Sequence, residues 1–292
     1  RTMAEAGVVH HTEVVEKLAE EEAGGATKEE IEIRERALAA LTPLQQERMR
    51  KDHLDTLIIV RGYQTYKPRL DETIKYFKKI AEWREESKYQ EFLAAKLPHF
   101  DEFHRRWPNN VYGTDDYGHV LTGFRVEELD VDALEKIGGE NLILLQGQKM
   151  RALFEHKRML SQKSGVQRYK HSAVMDLHGL KMSMLAGHKR QIIQRLLDVG
   201  SHYFPEQMWK IYLINTPMIF RGIWTMIKPW LHPVTVAKVQ MLGKVDAAKA
   251  QMMQDGVPES SLPTWCGGTH QGKDMGLLVV ECLNREVNVV PC

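Results

Sequence analysis

Cysteine is scarce in this chain: three among 292 residues, Cys266, Cys282 and Cys292, odd in number, late in the sequence and without a CxxC pair. That pattern excludes a disulfide framework and a CxxC-type zinc site, and it fits a reducing compartment. An excess of one charge is also missing. Lys plus Arg number 40 against 39 Asp plus Glu, whereas a protein that neutralises a phosphate backbone needs a basic surplus, so no nucleic acid partner is expected. Long apolar runs are absent too. The longest candidate, Ile211 to Phe220, contains a proline and falls short of the ~18 residues of a membrane-spanning helix. The start, "RTMAEAGVVHH", lacks the apolar core of a secretion signal, and beginning at Arg1 it is compatible with a fragment or a processed transit peptide.

Catalytic signatures are equally thin. There is no GxSxG nucleophile turn, and the 13 histidines form no HExxH pair. One near miss, "GGTHQGKD" from Gly267 to Asp274, has the spacing of a phosphate loop, but Asp274 stands where a magnesium-binding hydroxyl belongs and no buried strand precedes it. Asp115-Asp116 sits in a turn without the ligand spacing of a calcium loop. The reading is therefore not an enzyme, with no cofactor and no metal.

What is present is a large folding capacity, with 43% hydrophobic residues. Residues 1–40 are rich in Glu and broken by Gly24-Gly25, which reads as a mobile acidic arm, helical in part. Residues 41–100 read as a helical cap, since Leu70, Ile74, Phe77 and Ala81 recur on one helical face. Residues 101–270 change grammar. "NVYGTDDYGHVLTGF" alternates around turn residues like a hairpin. After it, "NLILLQGQKMRALFEHKRML" and "SMLAGHKRQIIQRLLDVGSHYF" read as helices, and "HSAVMDLHGL" and "KIYLINTP" as strands. Strands separated by crossover helices imply an α/β fold with a mostly parallel sheet flanked by helices. Residues 271–292 read as a tail, and no repeat of fixed period or further low-complexity segment is found.

The segment "NTPMIFRGIWTMIKPWLHPVTVAK" concentrates the unusual features. Thr216-Pro217 offers an N-cap and first helical residue, and Pro229 ends the helix. Phe220, Trp224, Ile227 and Leu231 share one face of it. Periodicity alone reads that stripe first as core-facing, and second as the wall of an apolar cavity or a membrane-touching surface. A helical turn restarting at Pro233 would place Thr235 and Lys238 on one face beside free backbone N–H groups, a set suited to a phosphate. Its rival is a solvated lysine on an exposed turn.

Five segments in order decide between these readings: "IVRGYQTYKPRLDETIKYFKKIAEWR", "HSAVMDLHGL", "YFPEQMWKIYLINTP", "IKPWLHPVTVAKV" and "LPTWCGG". From about Asp52 to His270 they resemble a CRAL-TRIO lipid-binding domain of the yeast-type phosphatidylinositol/phosphatidylcholine transfer proteins. The resemblance implies a hydrophobic pocket floored by the sheet and closed by a gating helix, here Thr216 to Pro229, with Phe220, Trp224, Ile227, Trp230 and Leu231 as gate and pocket residues. It implies an inositol phospholipid headgroup held by Glu206, Thr235 and Lys238. Two departures stand out. His171-Ser172-Ala173 replaces the Ser-x-Thr pair that accompanies choline lipid binding in the family, so His171 becomes a headgroup candidate of a different kind. Tyr66 stands where the family tends to carry Arg, and Gln207 where a basic residue is frequent.

The expected function is thus a cytoplasmic carrier of one phospholipid, phosphatidylinositol first, touching membranes transiently and presenting lipid to a lipid kinase or other lipid-modifying enzyme. The alternatives are a lipid-sensing module acting on a partner through the acidic arm or the tail, and a carrier of a sterol, retinoid or tocopherol-like molecule. Trp230 suits a membrane interface because an indole pairs an apolar body with a polar N–H.

Overall fold

The computed structural model describes residues 14–51, 53–64 and 70–286. A helix over residues 14–23 (α1) leads into α2 (Lys28–Ala39), α3 (Pro43–Arg50), α4 (His53–Gln64) and α5 (Leu70–Glu86). Two of these helices start on capping boxes, Thr27 with Glu30 and Thr42 with Gln45, each satisfying backbone donors that the first turn leaves free. The expected stripe on α5 is real. Phe77 and Ala81 are buried, Ile74 packs beside them, and Ile80 joins them against Leu38, Met49, Ile59 and Val60.

The mobile acidic arm is not what residues 14–39 form. Val15 and Ala19 pack on Trp209, while Ala37 and Leu38 belong to the core of the helical cap. The Glu-rich composition hid this because the anchoring residues are few and one is itself a glutamate. Glu22 accepts hydrogen bonds from the backbone N–H groups of Tyr169 and Lys170, each at 2.7 Å, and lies 2.6 Å from His119 Nε2. A short, polar helix thereby gains a buried polar anchor that composition cannot register.

After α6 (Phe100–Arg106) the chain forms a hairpin, β1 (Asn110–Thr114) and β2 (Val120–Arg125). Then follow α7 (Val131–Ile137), α8 (Gly139–Ser164), β3 (His171–Asp176), α9 (His188–Asp198), β4 (Met208–Ile214), α10 (Phe220–Ile227), α11 (Pro233–Ala237), β5 (Val239–Met241), α12 (Val245–Gln254), β6 (Lys273–Asp274) and α13 (Met275–Glu286). Gly138, at φ 89°, makes the turn between α7 and α8 that an L side chain would strain.

The sheet order is β5-β4-β3-β2-β1-β6, parallel from β2 through β5, with β1 antiparallel to both its neighbours. Alternation assigns its two faces. Leu121, Val174, Tyr212 and Ile214 pack with Ala248 and Met252 of α12, whereas Val111 and Val120 pack with Leu153 of α8 and with α13. The tail assignment for residues 271–292 is also corrected over its described part: Met275, Leu278, Val279 and Cys282 are buried, so α13 is a core helix. Their spacing is the helical one, which a division drawn at the end of the family resemblance passed over.

Candidate functional site

The face of the sheet under α8 and α9 floors a cavity of about 340 Å³. Thr122 and Phe124 of β2, His171, Ala173 and Met175 of β3, and Met208 and Ile211 of β4 reach it from below. The β3–β4 register shifts between His171 and Ala173. Ile192 and Leu196 of α9 close it from above, and α9 then loosens into a π-turn, Val199–Tyr203. That turn delivers Phe204, Pro205 and Glu206 to the rim, where Gly62 of α4 also lies. A Cβ on Gly62 would sit 2.9 Å from Pro205 Cβ, so glycine is what lets α4 approach.

Glu206 holds φ at 54°, a left-handed conformation rare for a side chain of its size. Its Oε2 lies 3.6 Å from Lys238 Nζ and 3.3 Å from Lys170 Nζ. Lys238 also donates to the Met208 carbonyl at 2.8 Å. Burial pushes the Lys238 ammonium below its ordinary pKa, with Glu206 opposing that shift. For Lys170 burial acts the same way, yet Glu206, Tyr169 and Glu22 outweigh it and its pKa is raised. Glu206 and Lys238 line the cavity while Lys170 does not, and Glu22 acts with Glu206 on both ammonium groups.

Thr235 lines the same end, on α11. The restart at Pro233 is as expected, and one of the first-turn backbone N–H groups is already taken: His232 caps the helix, its Nδ1 accepting from Val234 N–H at 3.4 Å. The Thr235 hydroxyl and the Lys238 ammonium are the side-chain donors that this end of the cavity offers.

His171 lines the cavity from the first residue of β3 and is buried. Burial, and then the neighbouring Lys157, push its pKa well below the usual histidine range, so it is neutral. Lys157 Nζ lies 3.3 Å from Nδ1 and also donates to Gln207 Oε1 and to the Tyr169 carbonyl. With Nδ1 as acceptor the ring proton is on Nε2, so His171 supplies one donor and no charge. Gln207 lines the cavity as well, buried, with its Oε1 accepting from Lys157.

Four of the expected headgroup residues, Glu206, Thr235, Lys238 and His171, thus line one cavity; Tyr66 falls outside the described residues. Among the gate residues only Leu231 lines it. Phe220 is buried with Ile223 against Leu177, Ile211 and Leu213, and Trp224 and Ile227 pack on that cluster. Trp230 lies under Arg190, whose guanidinium is 5.3 Å from the ring centroid. In this conformation the stripe is core-facing. The helix itself starts later than expected, with Ile219 rather than Thr216 at the N-cap, because Asn215, at φ 51°, bonds Asp176 and the chain turns through Pro217 first. Sequence reasoning missed Lys170 and Lys157, which look like any lysine beside a strand or on a helix.

An apolar cavity over one face of an α/β sheet, with Glu206, Thr235 and Lys238 at its rim, is the arrangement of a ligand-enclosing fold. Residues 105–268 match the CRAL/TRIO domain family, and the chain belongs to it. It is 28% identical over 255 residues to a CRAL-TRIO domain-containing protein of Saccharomyces cerevisiae, covering 84% of this chain and 80% of that one. It is 25% identical to the SEC14 cytosolic factor of Kluyveromyces lactis over 75% of this chain and 72% of the other. A phosphatidylinositol/phosphatidylcholine transfer protein of Arabidopsis thaliana is 21% identical over 78% of this chain, which spans 41% of that longer protein. The solved structure of Sfh5 shares the fold, with a TM-score of 0.58 at 13% identity, covering 90% of this chain and 99% of that one.

Proposed function

We propose that this protein carries one phospholipid, of the phosphatidylinositol class, with its acyl part in the cavity and its headgroup at Glu206, Thr235 and Lys238. The observation that carries the reading is the meeting of those three residues, a carboxylate, a hydroxyl and an ammonium, at one rim of an apolar cavity. A phosphate satisfies Lys238 and Thr235, and Glu206 can accept from an inositol hydroxyl. The names of the relatives, which include a phosphatidylinositol/phosphatidylcholine transfer protein, agree with a lipid ligand. Choline lipids are disfavoured. Ala173 offers no hydroxyl, and the Ser172 side chain is buried, leaving neutral His171 as the polar group at that place.

Exchange then takes place at a membrane surface, with α10 as the moving element. Met218, 94% exposed, and Ile219 precede α10 as apolar side chains facing solvent, which is the arrangement that partitions into an interface. No helix among the described residues is long and apolar enough to cross a membrane. A sensor acting through a free acidic arm is less well supported, because residues 14–39 are docked. Transfer of labelled phosphatidylinositol between vesicles tests the reading, with Lys238→Ala as the control that removes the rim cation.

A further inference from the structure

The cavity has a second polar end that the proposed headgroup does not reach. Lys149 of α8 lines the cavity and is only 5% exposed, yet among the described residues its ammonium makes no hydrogen bond or ion pair. Its contacts are aromatic, with the Trp107 ring centroid at 3.8 Å and that of Phe103 at 5.5 Å. Three further groups lining the same cavity are buried without partners: Gln146 Oε1, Trp107 Nε1 and Asn109 Oδ1. Gln146 as a whole is 8% exposed. Unpaired buried polar atoms are costly singly, and four such groups around one cavity end call for a polar ligand atom.

Strand register separates this end from the rim. Asn109 precedes Asn110, which is level with Gly123 and, through it, with Val174, whereas the rim residue His171 is level with Met208. Three residues of strand place the two ends about 10 Å apart along the sheet. Trp107 confirms the level by packing edge-on against Phe124 at 5.9 Å. Burial lowers the Lys149 pKa to about 7, so an acceptor at this position would restore the charged form.

We propose that the Lys149 ammonium and the Trp107 indole N–H, the two donors of this set, form a second recognition site for an anionic or carbonyl oxygen on the apolar part of the ligand, which the Gln146 and Asn109 amides complete by turning their NH2 groups inward. It rests on the carrier reading only in that a ligand fills the cavity. The chemistry is a carboxylate or carbonyl at the inner end of an acyl chain. It has two sources: an oxygen-terminated chain of a phospholipid, or a free long-chain acid bound by its carboxylate. An all-hydrocarbon chain would leave the ammonium and the three unpaired groups facing methylenes.

The test is equilibrium binding to the delipidated full chain of three probes. They are phosphatidylinositol with a short sn-2 chain ending in a methyl group, the same lipid with that chain ending in a carboxylate, and hexadecanoic acid. The expected result is about tenfold tighter binding of the carboxylate-ended lipid than of its methyl-ended counterpart, reduced to parity by Lys149→Met, which keeps the side chain's length. Hexadecanoic acid bound in a Lys149-dependent and Lys238-independent manner would also support the site and name the free acid as the source. No preference in the native chain, or a preference that survives Lys149→Met, with no Lys149-dependent binding of hexadecanoic acid, overturns the proposal and makes this end a place for water. If neither phosphatidylinositol binds while hexadecanoic acid does so through Lys149, the headgroup reading fails and the inner site stands.

Discussion

Glu206 and Lys238 meet at 3.6 Å, the one carried in on a π-turn after α9 and the other on the last turn before β5. Neither is held for its own sake by local structure. Glu206 keeps a left-handed backbone to get there, and Lys238 is drawn partly out of water. Strain and desolvation concentrated on one pair are what a binding rim carries and what a purely structural surface pair avoids.

The rim is electrostatically interdependent. Glu206→Ala leaves Lys170 and Lys238 facing each other without their shared carboxylate, and it is expected to destabilise the protein by about 1–3 kcal/mol. Urea denaturation measures this. Adding Lys170→Met to Glu206→Ala should recover a large part of the loss, since it removes the second ammonium.

The buried Glu22–His119–Asp115 cluster predicts a pH window. His119 lies 3.0 Å from Asp115 Oδ2 and 2.6 Å from Glu22, and stacks on Trp209 at 4.1 Å. Burial alone would lower its pKa, but the hydrogen bonds to the two carboxylates raise it above 6.5. That contribution is full below pH 6.5 and fades as pH rises through the raised value. For Glu22, burial pushes the pKa up, but His119 and Lys170 bring it below 4.5, so its contribution is lost only as pH falls through the lowered value. Between pH 4.5 and 6.5 both are present. The melting-temperature advantage of the native chain over His119→Gln is expected to be greatest there and to shrink in alkaline buffer.

Trp230→Ala separates exchange from stability. The ring is half-buried and its described ring contact is with Arg190, so its loss should cost about 1 kcal/mol or less. Exchange between vesicles should slow several-fold. Equal exchange rates in the two proteins would remove Trp230 from the membrane step.

Much of the fold was readable from pattern. β3 and β4 are apolar runs divided by the helix α9, and α5 carries a regular stripe, so the parallel sheet and the helix over residues 70–86 followed from periodicity. Glu206, Thr235 and Lys238 were grouped by resemblance, which supplies long-range pairing that spacing cannot, and they line one cavity. What was not readable depends on contacts between distant segments. Glu22 looks like one more acid in an acidic stretch until His119 and the 169–170 backbone are beside it. Lys149 sits on a helix rich in lysine, and nothing local marks it as the one aimed into the cavity. The gate residues carry a real stripe that packs on the core in this conformation, so the pattern alone does not distinguish a closed gate from a fixed core helix.

Lys149 also makes a stability prediction. An amine whose folded pKa is depressed to about 7 costs the folded state at neutral pH, and the cost disappears as pH rises toward 10.5. In the delipidated protein Lys149→Met should therefore raise the melting temperature at pH 7 and have little effect in strongly alkaline buffer. A lower melting temperature at pH 7 would mean the ammonium is well solvated or paired.

The central claim is tested most directly by vesicle-to-vesicle transfer of radiolabelled phosphatidylinositol and phosphatidylcholine, with the native chain and Lys238→Ala side by side. Transfer of the inositol lipid by the native chain, reduced about tenfold or more in the variant and accompanied by little choline lipid transfer in either, is the predicted result. Inositol lipid transfer that is absent from the native chain, or undiminished in the variant, would contradict the headgroup assignment.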